Sequence, residues 1–540
     1  MRKYLNTIDW GRYLLLFIAV LPLFIFRDFT RNNELRYLSI ADEAIREGHL
    51  FTFYNHGAAY ADKPPLYLWL VMLGRMIFGG NTAGLMTFMS LFSVVPALVI
   101  LWIMNRWVRP FVACVAARRA GQLMLYTSVY FIGSAVVLRM DMLMCMFIVL
   151  ALHTFWRIYS GDSDRENHLL RDKLLFPVWV FLAVFSKGPV GILVPLVTVI
   201  VFLIVKREWR KIGNYWGLRT WVILLGLCAV WFGAVYAEGG TSYLDNLLVK
   251  QTAGRAVDAF HHKAPFWYYG VSIWYSLAPW SLLVIGVLVW GLWNRRRMVT
   301  TDLERLFLVV ALSTFLVLSM VSSKIQIYLL PAFPFFIYIA VVWIAKAGVR
   351  RWMKWLIGIP AGVLALTFPG LFIVGGQVDF PLFDSMFVPV AAALTTLASG
   401  ACLVLLWRGR FNTAIITLAS GLLATVFTVS FAVPQFNGYI GMGDVCGAAK
   451  AVGDAAGIRD YYTYDIKRSE NIDVYLGQPV RLLMPPQNPD SIDCGIIITF
   501  KERIGTDTAL TRAFAGQEVH RVGTFAFAVI HERETEQQEP

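Results

Sequence analysis

The stretch IQIYLLPAFPFFIYIAVVWIA, residues 325–345, runs for 21 residues without a charged side chain and is bracketed by Lys324 and Lys346. A hydrocarbon core about 30 Å thick takes about 20 apolar residues in a helix, whereas a buried strand needs far fewer. The stretch therefore reads as a membrane-spanning helix with a cation at each end. The same signature recurs along the chain near residues 11–26, 82–104, 120–137, 142–160, 173–187, 190–205, 219–237, 266–293, 304–322, 355–375, 385–407 and 412–433. The composition agrees: 58% of the 540 residues are hydrophobic and only 15% are charged, a balance foreign to a soluble chain of this length.

The charge pattern orients these spans. The net charge of +13 would suit a nucleic-acid binder if it formed a patch, but the cations sit in short loops between apolar runs. Arg106 and Arg109, Lys206 to Lys211, Arg295 to Arg297, Lys346 to Lys354, and Arg408 with Arg410 all do so. That is the bias of cytoplasmic loops, and it excludes nucleic acid as the expected partner. The N-terminus is basic and then apolar. No small-residue cleavage site follows Phe26, so the first span is expected to stay uncleaved. With that terminus inside, an odd number of spans, about 13, leaves residues 434–540 outside. The expected fold is thus an all-α polytopic membrane unit over residues 1–433, followed by a small extracytoplasmic α/β domain over 434–540. Strands of the latter are expected at 461–466, 480–484, 495–500 and 524–531. Of the six cysteines, Cys446 and Cys494 lie in this tail, where they could pair, and none has metal-ligand spacing.

Two outer loops are long, 27–81 and 238–265. The first contains an amphipathic helix pattern at about 33–47 and a short apolar one at about 65–79. The second of these stops at Gly79-Gly80 and is too short to span. The outer face then collects ionisable residues that positive-inside sorting should deplete: Asn33-Glu34 with Arg36, Asp62-Lys63, Arg139 with Asp141, Lys187, Arg255 and Lys324. Each has a plain structural reading. Glu34 suits a helix N-terminus, Arg139 and Asp141 could close a hairpin, and Lys187 before Gly188-Pro189 could cap a helix end. Lysines at membrane edges also snorkel. Several cations retained together on the outer face are better explained by an anionic ligand such as a phosphate. A transporter would favour internal repeats and charges at mid-membrane. The chain has neither.

The ordered set Asn33-Glu34-Leu35-Arg36-Tyr37, Tyr60-Ala61-Asp62-Lys63-Pro64-Pro65, Arg139-Met140-Asp141, Ser186-Lys187-Gly188-Pro189, Pro265 to Tyr269, and Lys324 to Pro331 resembles the aminoarabinose transferases. These are lipid A-modifying relatives of the protein O-mannosyltransferases with the GT-C membrane glycosyltransferase fold. The resemblance covers residues 1–433. It implies an inverting glycosyltransferase in the bacterial inner membrane, acting at the periplasmic face. The enzyme would move an aminoarabinose-like pentose or a hexose from a polyprenyl-phosphate carrier to lipid A or another envelope acceptor. A protein O-mannosyltransferase-like enzyme with a hydroxyl acceptor is the alternative within the family, and a lipid transporter the one outside it.

Residue by residue, the resemblance implies that Lys63, beside Asp62, and Arg255 hold the carrier phosphate. Lys187, Lys324 and Tyr328 would line the same cavity, Tyr37 and Tyr60 would sit by the sugar, and Asp141 with Glu34 would be the catalytic acids. The family opens its first motif on Asp followed by Glu, whereas this chain has Asn33, an amide that cannot take a proton but can orient an acceptor. A sugar phosphodiester needs its departing phosphate neutralised more than it needs a general acid. Clustered lysines supply that charge, so no cofactor and no essential divalent metal are expected.

Overall fold

The computed structural model describes residues 9–161, 166–249, 264–375 and 381–531. Among them, eight helices are long and apolar enough to cross a bilayer, Gln326–Ala347 being the most deeply buried, and four shorter apolar helices accompany them. The protein is a multi-pass membrane protein of mainly helical build. Every expected span falls on helix, but four expected as continuous are broken: 11–26 divides into Trp10–Ile18 and Leu21–Phe26, 355–375 into Arg351–Ala365 and Thr367–Gly375, and two further breaks face each other. Residues 120–137 divide into Val115–Tyr126 and Val129–Val136, and 266–293 into Tyr268–Ser276 and Ser281–Trp293. Pro279 has no amide to donate and disfavours helical backbone at the residue before it. The two breaks then satisfy one another. Val129 N–H donates to the Ala278 carbonyl at 3.0 Å, and the Trp280 indole donates to Thr127 Oγ1 at 2.9 Å. Inside a membrane, freed backbone groups need such partners.

A further difference concerns the loop expected from residue 238. The helix Leu218–Asp245 continues through it, bending at Gly240, whose φ of 67° only glycine adopts freely. Glu238 stabilises this extension. Its carboxylate accepts the amides of Leu50, Phe51 and Thr52 and the Thr52 hydroxyl, tying the helix end to the loop 27–81.

That loop is folded. The amphipathic pattern forms the helix Glu34–Glu47, and the short apolar one forms Leu66–Phe78, ended at Gly79. Between them, β1 (Tyr54–Asn55) and β2 (Ala58–Ala59) pair around His56 and Gly57. Both turn residues have positive φ, as a two-residue hairpin turn requires. Glu43 accepts both turn amides, at 2.6 and 2.9 Å.

Residues 461–530 build a sheet of β3 (Tyr461–Tyr464), β4 (Val480–Leu483), β5 (Gly495–Phe500), β6 (Val519–Val522) and β7 (Phe525–Ile530), in the order β4-β3-β5-β7-β6. β3 runs parallel to β4 and β5, while β7 is antiparallel to β5 and β6. Side chains alternate between faces. Ile496 and Ile498 join the large core with Cys446 and Ala449 of the helix Gly443–Ala456, and Ile497 packs with Leu510 and Phe514 on the other face. β6 went unpredicted because Val519-His520-Arg521-Val522 is short, half polar and lies at the sheet edge. Cys446 is buried and Cys494 exposed, and both are unpaired thiols.

The sheet unit is fastened to the loop 27–81 through Asp28. The Asn437 side chain accepts from Asp28 N and donates to the Phe26 carbonyl, at 3.0 and 2.8 Å. The Asp28 carboxylate accepts from Gly443 N at 2.7 Å and from the Tyr475 hydroxyl. Burial pushes the Asp28 carboxyl above the usual range, while Tyr475 and the Gly443 and Phe29 amides hold it back. A Ser39 hydroxyl bond to Asp473 at 3.1 Å adds a second tie.

Candidate functional site

Asp141 opens the helix Asp141–Ser160, where the positive end of the helix dipole favours its charge. It is fully buried. Lys187, the last residue of the helix Glu166–Lys187, directs its ε-amino group onto Asp141 Oδ1. Arg139 brings Nε to 3.1 Å from Asp141 Oδ2. The angle there is too poor for a hydrogen bond, so Oδ2 lacks a donor among the described residues. Lys187 also lies 4.5 Å from the centre of the Tyr328 ring, within cation–π range. Arg139 and Lys63 both stand close enough to repel the Lys187 charge. The site is therefore one buried carboxylate under several cations.

Tyr37 forms one wall. It is buried, its hydroxyl lies 3.9 Å from Met140 Sδ, and its ring meets Tyr67 edge-on at 5.6 Å. Burial pushes its hydroxyl pKa up despite Arg139 and Arg36, which keeps it a neutral donor. The Arg36 guanidinium sits 5.1 Å from the Tyr60 ring and 6.0 Å from that of Tyr37. Asp62 also acts on Tyr37 electrostatically.

Two cavities hold further residues expected at the site, one lined by Lys324 and the other by Asn33 and Arg139. One, of about 610 Å³, is lined by Phe266, Leu316, Ser319, Met320, Ser322 and Lys324. Lys324 donates to the Ala264 carbonyl at 2.9 Å, which places a cation at the edge of an apolar groove. The other, of about 500 Å³, lies between membrane unit and sheet, with Arg31, Asn33 and Arg139 on one side and Phe500, Glu502 and Thr524 on the other. Asn33 precedes the helix Glu34–Glu47 without capping it, so its amide is not used for the helix end.

Glu34 sits differently from Asp141. Its two oxygens accept from Arg27 at 2.7 and 2.8 Å, from Thr30 N at 2.7 Å and from Leu138 N at 2.8 Å. It ties the first loop to the segment leading into Asp141. Arg255 lies outside the described residues. The structure thus gathers Tyr37, Lys63, Asp141, Lys187 and Tyr328 around one point, puts Asn33 and Lys324 in separate cavities, and anchors Glu34. Sequence reasoning gave Arg139 only a hairpin-closing role, yet it reaches both Asp141 and the Asn33 cavity. It also missed Glu502 and Phe500, which carry no local signal because the tail folds back over the first loop.

The sequence profile of the dolichyl-phosphate-mannose-protein mannosyltransferase family matches residues 62–232. A relative from Aquifex aeolicus, an uncharacterized protein, is 28% identical over 335 residues, 60% of this chain and 62% of that protein. The undecaprenyl phosphate-α-4-amino-4-deoxy-L-arabinose arabinosyl transferase of Edwardsiella ictaluri is 27% identical over 304 residues, 56% of this chain and 53% of that protein. The alignments thus span less than two thirds of these relatives' length. Among solved structures, ArnT from Cupriavidus metallidurans bound to undecaprenyl phosphate superposes with a TM-score of 0.75 at 16% identity, covering 96% of both chains. Its apo form gives 0.73 over 98% of both. The chain thus shares its overall fold with ArnT of Cupriavidus metallidurans, and parts of its sequence are similar to the arabinosyl transferases and, over residues 62–232, to the mannosyltransferase family.

Proposed function

We propose that the protein is an inverting glycosyltransferase that takes a sugar from a polyprenyl-phosphate carrier and passes it to a lipid A phosphate, or a similar anionic envelope acceptor, at the periplasmic face of the inner membrane. The observation that carries this reading is the cluster of Lys63, Arg139 and Lys187 around Asp141, together with an apolar groove edged by Lys324. The likeness to transferases named for an undecaprenyl-phosphate sugar supports the donor class.

In this scheme the carrier chain lies in the groove and its phosphate meets Lys63 and Lys324. The acceptor oxygen attacks the anomeric carbon from the Asn33 side, the bond from that carbon to the carrier phosphate oxygen breaks, and its electron pair stays on the phosphate. Configuration inverts. The cations offset the charge that grows on the leaving group. An acceptor phosphate is already ionised near neutral pH and needs no base, so Asn33 and Arg31 suffice to hold it. The positive wall formed by Arg31 and Arg139 is the reason to favour a phosphate acceptor over a hydroxyl one. Mass spectrometry of lipid A, envelope glycans and glycoproteins from cells with and without the protein tests the reaction. A loss of sugar confined to glycoproteins would overturn the acceptor assignment.

Three expected results follow from this scheme. Lys63→Ala weakens carrier-lipid binding by about tenfold or more, since a charge-assisted contact contributes about 1.5–3 kcal/mol. Titration of the purified variant with undecaprenyl phosphate measures this, and unchanged affinity would remove Lys63 from the donor site. Turnover persists in excess chelator, because lysines and arginines already supply the positive charge a divalent ion would bring. Among the described residues, no group of three His, Cys, Asp or Glu side chains is placed to hold a metal. Loss of activity that added metal reverses would contradict this. A reporter active only outside the cytoplasm, fused after Gln435, gives signal, as the lysine and arginine bias requires. Activity there from a reporter that works only in the cytoplasm would reverse the orientation.

A further inference from the structure

The chain segments that lead to Arg27 and to Asp141 start, with the helices Trp10–Ile18 and Val115–Tyr126, at the opposite side of the membrane unit, where a second charged pocket lies. It lies where Trp10–Ile18 and Val115–Tyr126 begin and where Thr82–Trp107 ends. Its cavity measures about 230 Å³ and is lined by Arg12, Arg106, Arg109, Arg118, Arg119 and Asp9. That is several times the ~30 Å³ share of a water molecule. Among the described residues, five arginines and one acid line the cavity, and that acid, Asp9, pairs with Arg119 at 3.5 Å.

Arg12 and Arg109 both repel Arg118. Arg118 is fixed in place by donating to the Val112 and Ala113 carbonyls, at 2.5 and 2.9 Å. The helix Val115–Tyr126 has no acid in its first turn, so its positive dipole end meets Arg118 and Arg119 instead of a carboxylate. Arg12 Nε is buried without a hydrogen-bond partner among the described residues. Positive-inside sorting accounts for cations in exposed loops, but not for five converging on one cavity. Trp102, an interfacial residue type, and the Asn105 amide complete the wall.

We propose that this pocket binds a phosphate group, that of an anionic glycerophospholipid in the leaflet opposite the transfer site. Arginine forks suit phosphate oxygens, and basic pockets between membrane helices suit such headgroups. Exposed Trp10, Leu14 and Val115, on the helices that begin at the pocket, offer the acyl chains an apolar surface that a free anion would not use. Occupancy would hold together the starts of Trp10–Ile18 and Val115–Tyr126 and the end of Thr82–Trp107.

Native mass spectrometry of the full chain in detergent, titrated with phosphatidylglycerol or phosphatidylcholine, tests the proposal. Phosphatidylglycerol is retained preferentially, and Arg106→Gln/Arg109→Gln lowers its affinity roughly tenfold or more. The exposed cluster variant Arg295→Gln/Arg296→Gln/Arg297→Gln, on the same side, changes it by no more than about twofold. Should the double variant fail to purify, Arg109→Gln alone, at an exposed position, carries the test with about a threefold loss. Inorganic phosphate at millimolar concentration distinguishes the source. If it displaces the lipid from the wild type, the pocket takes bare phosphate; if it does not, the lipid is the ligand. Equal phosphatidylglycerol binding by wild type and pocket variants, or an equal loss in the cluster variant, overturns the site in favour of a diffuse basic surface.

Discussion

Asp141→Asn is expected to lower turnover by roughly 100-fold or more, the usual size of a proton-transfer or electrostatic role. The difficulty lies in separating chemistry from folding, because Asp141 is buried against Lys187. Removing one member of a buried ion pair leaves the other charge stranded and costs about 3–5 kcal/mol. The single variant is therefore expected to lose stability as well as activity. Lys187→Met combined with Asp141→Asn removes both charges, and replacing a buried pair by neutral groups of similar volume is often close to neutral for stability. The double variant should recover most of the thermal stability of the wild type and none of its turnover. Detergent-solution melting together with a transfer assay on the same samples reads both quantities. A double variant that is stable and active would make the pair a structural strut. A folded Asp141→Asn protein with normal turnover would remove Asp141 from the site.

The legible part of this molecule is the part fixed by composition along the chain. A run such as 325–345 declares a spanning helix because no partner is needed to decide that it avoids water. The loop helix Glu34–Glu47 was legible through its spacing, and β5 and β7 through their runs of β-branched and aromatic residues. Illegible were the features decided by a distant partner. The break at Thr127-Ser128 holds because Trp280 and Ala278 bond to it across some 150 residues. The continuation of helix through Glu238 depends on three amides near residue 51. At the site, motif order located Asp141 and Lys187 but not their contact. Arg27 drew no notice because nothing in the sequence says that it faces Glu34. Of the arginine pocket the sequence shows only Arg106 and Arg109 as loop cations, since charge sorting explains their side of the membrane and is silent on their convergence with Arg12, Arg118 and Arg119.

Glu34 is where sequence and structure pull furthest apart, and its substitutions should have the second-largest effects. As a catalytic acid it would need an oxygen free to face the substrate. In the structure the carboxylate is 1% exposed, and its oxygens serve Arg27 twice, the Thr30 amide and the Leu138 amide. We infer a positioning role: Glu34 holds the segment Leu138–Asp141 at its distance from Tyr37. Glu34→Ala would strand a buried guanidinium and two backbone amides, and is expected to cost about 3–5 kcal/mol, enough to deplete folded protein. Glu34→Asp is the discriminating change. It keeps the charge but withdraws it by one methylene, so it can no longer reach Arg27 and Leu138 together. An anchor shortened in this way loses melting temperature, and the turnover that remains falls with the geometry of Asp141 while its pH profile stays where it was. A proton-transferring acid would instead keep its stability and shift the pH profile of turnover, because the titrating group itself has moved. Undiminished stability in Glu34→Asp together with a displaced pH profile would return Glu34 to the chemistry.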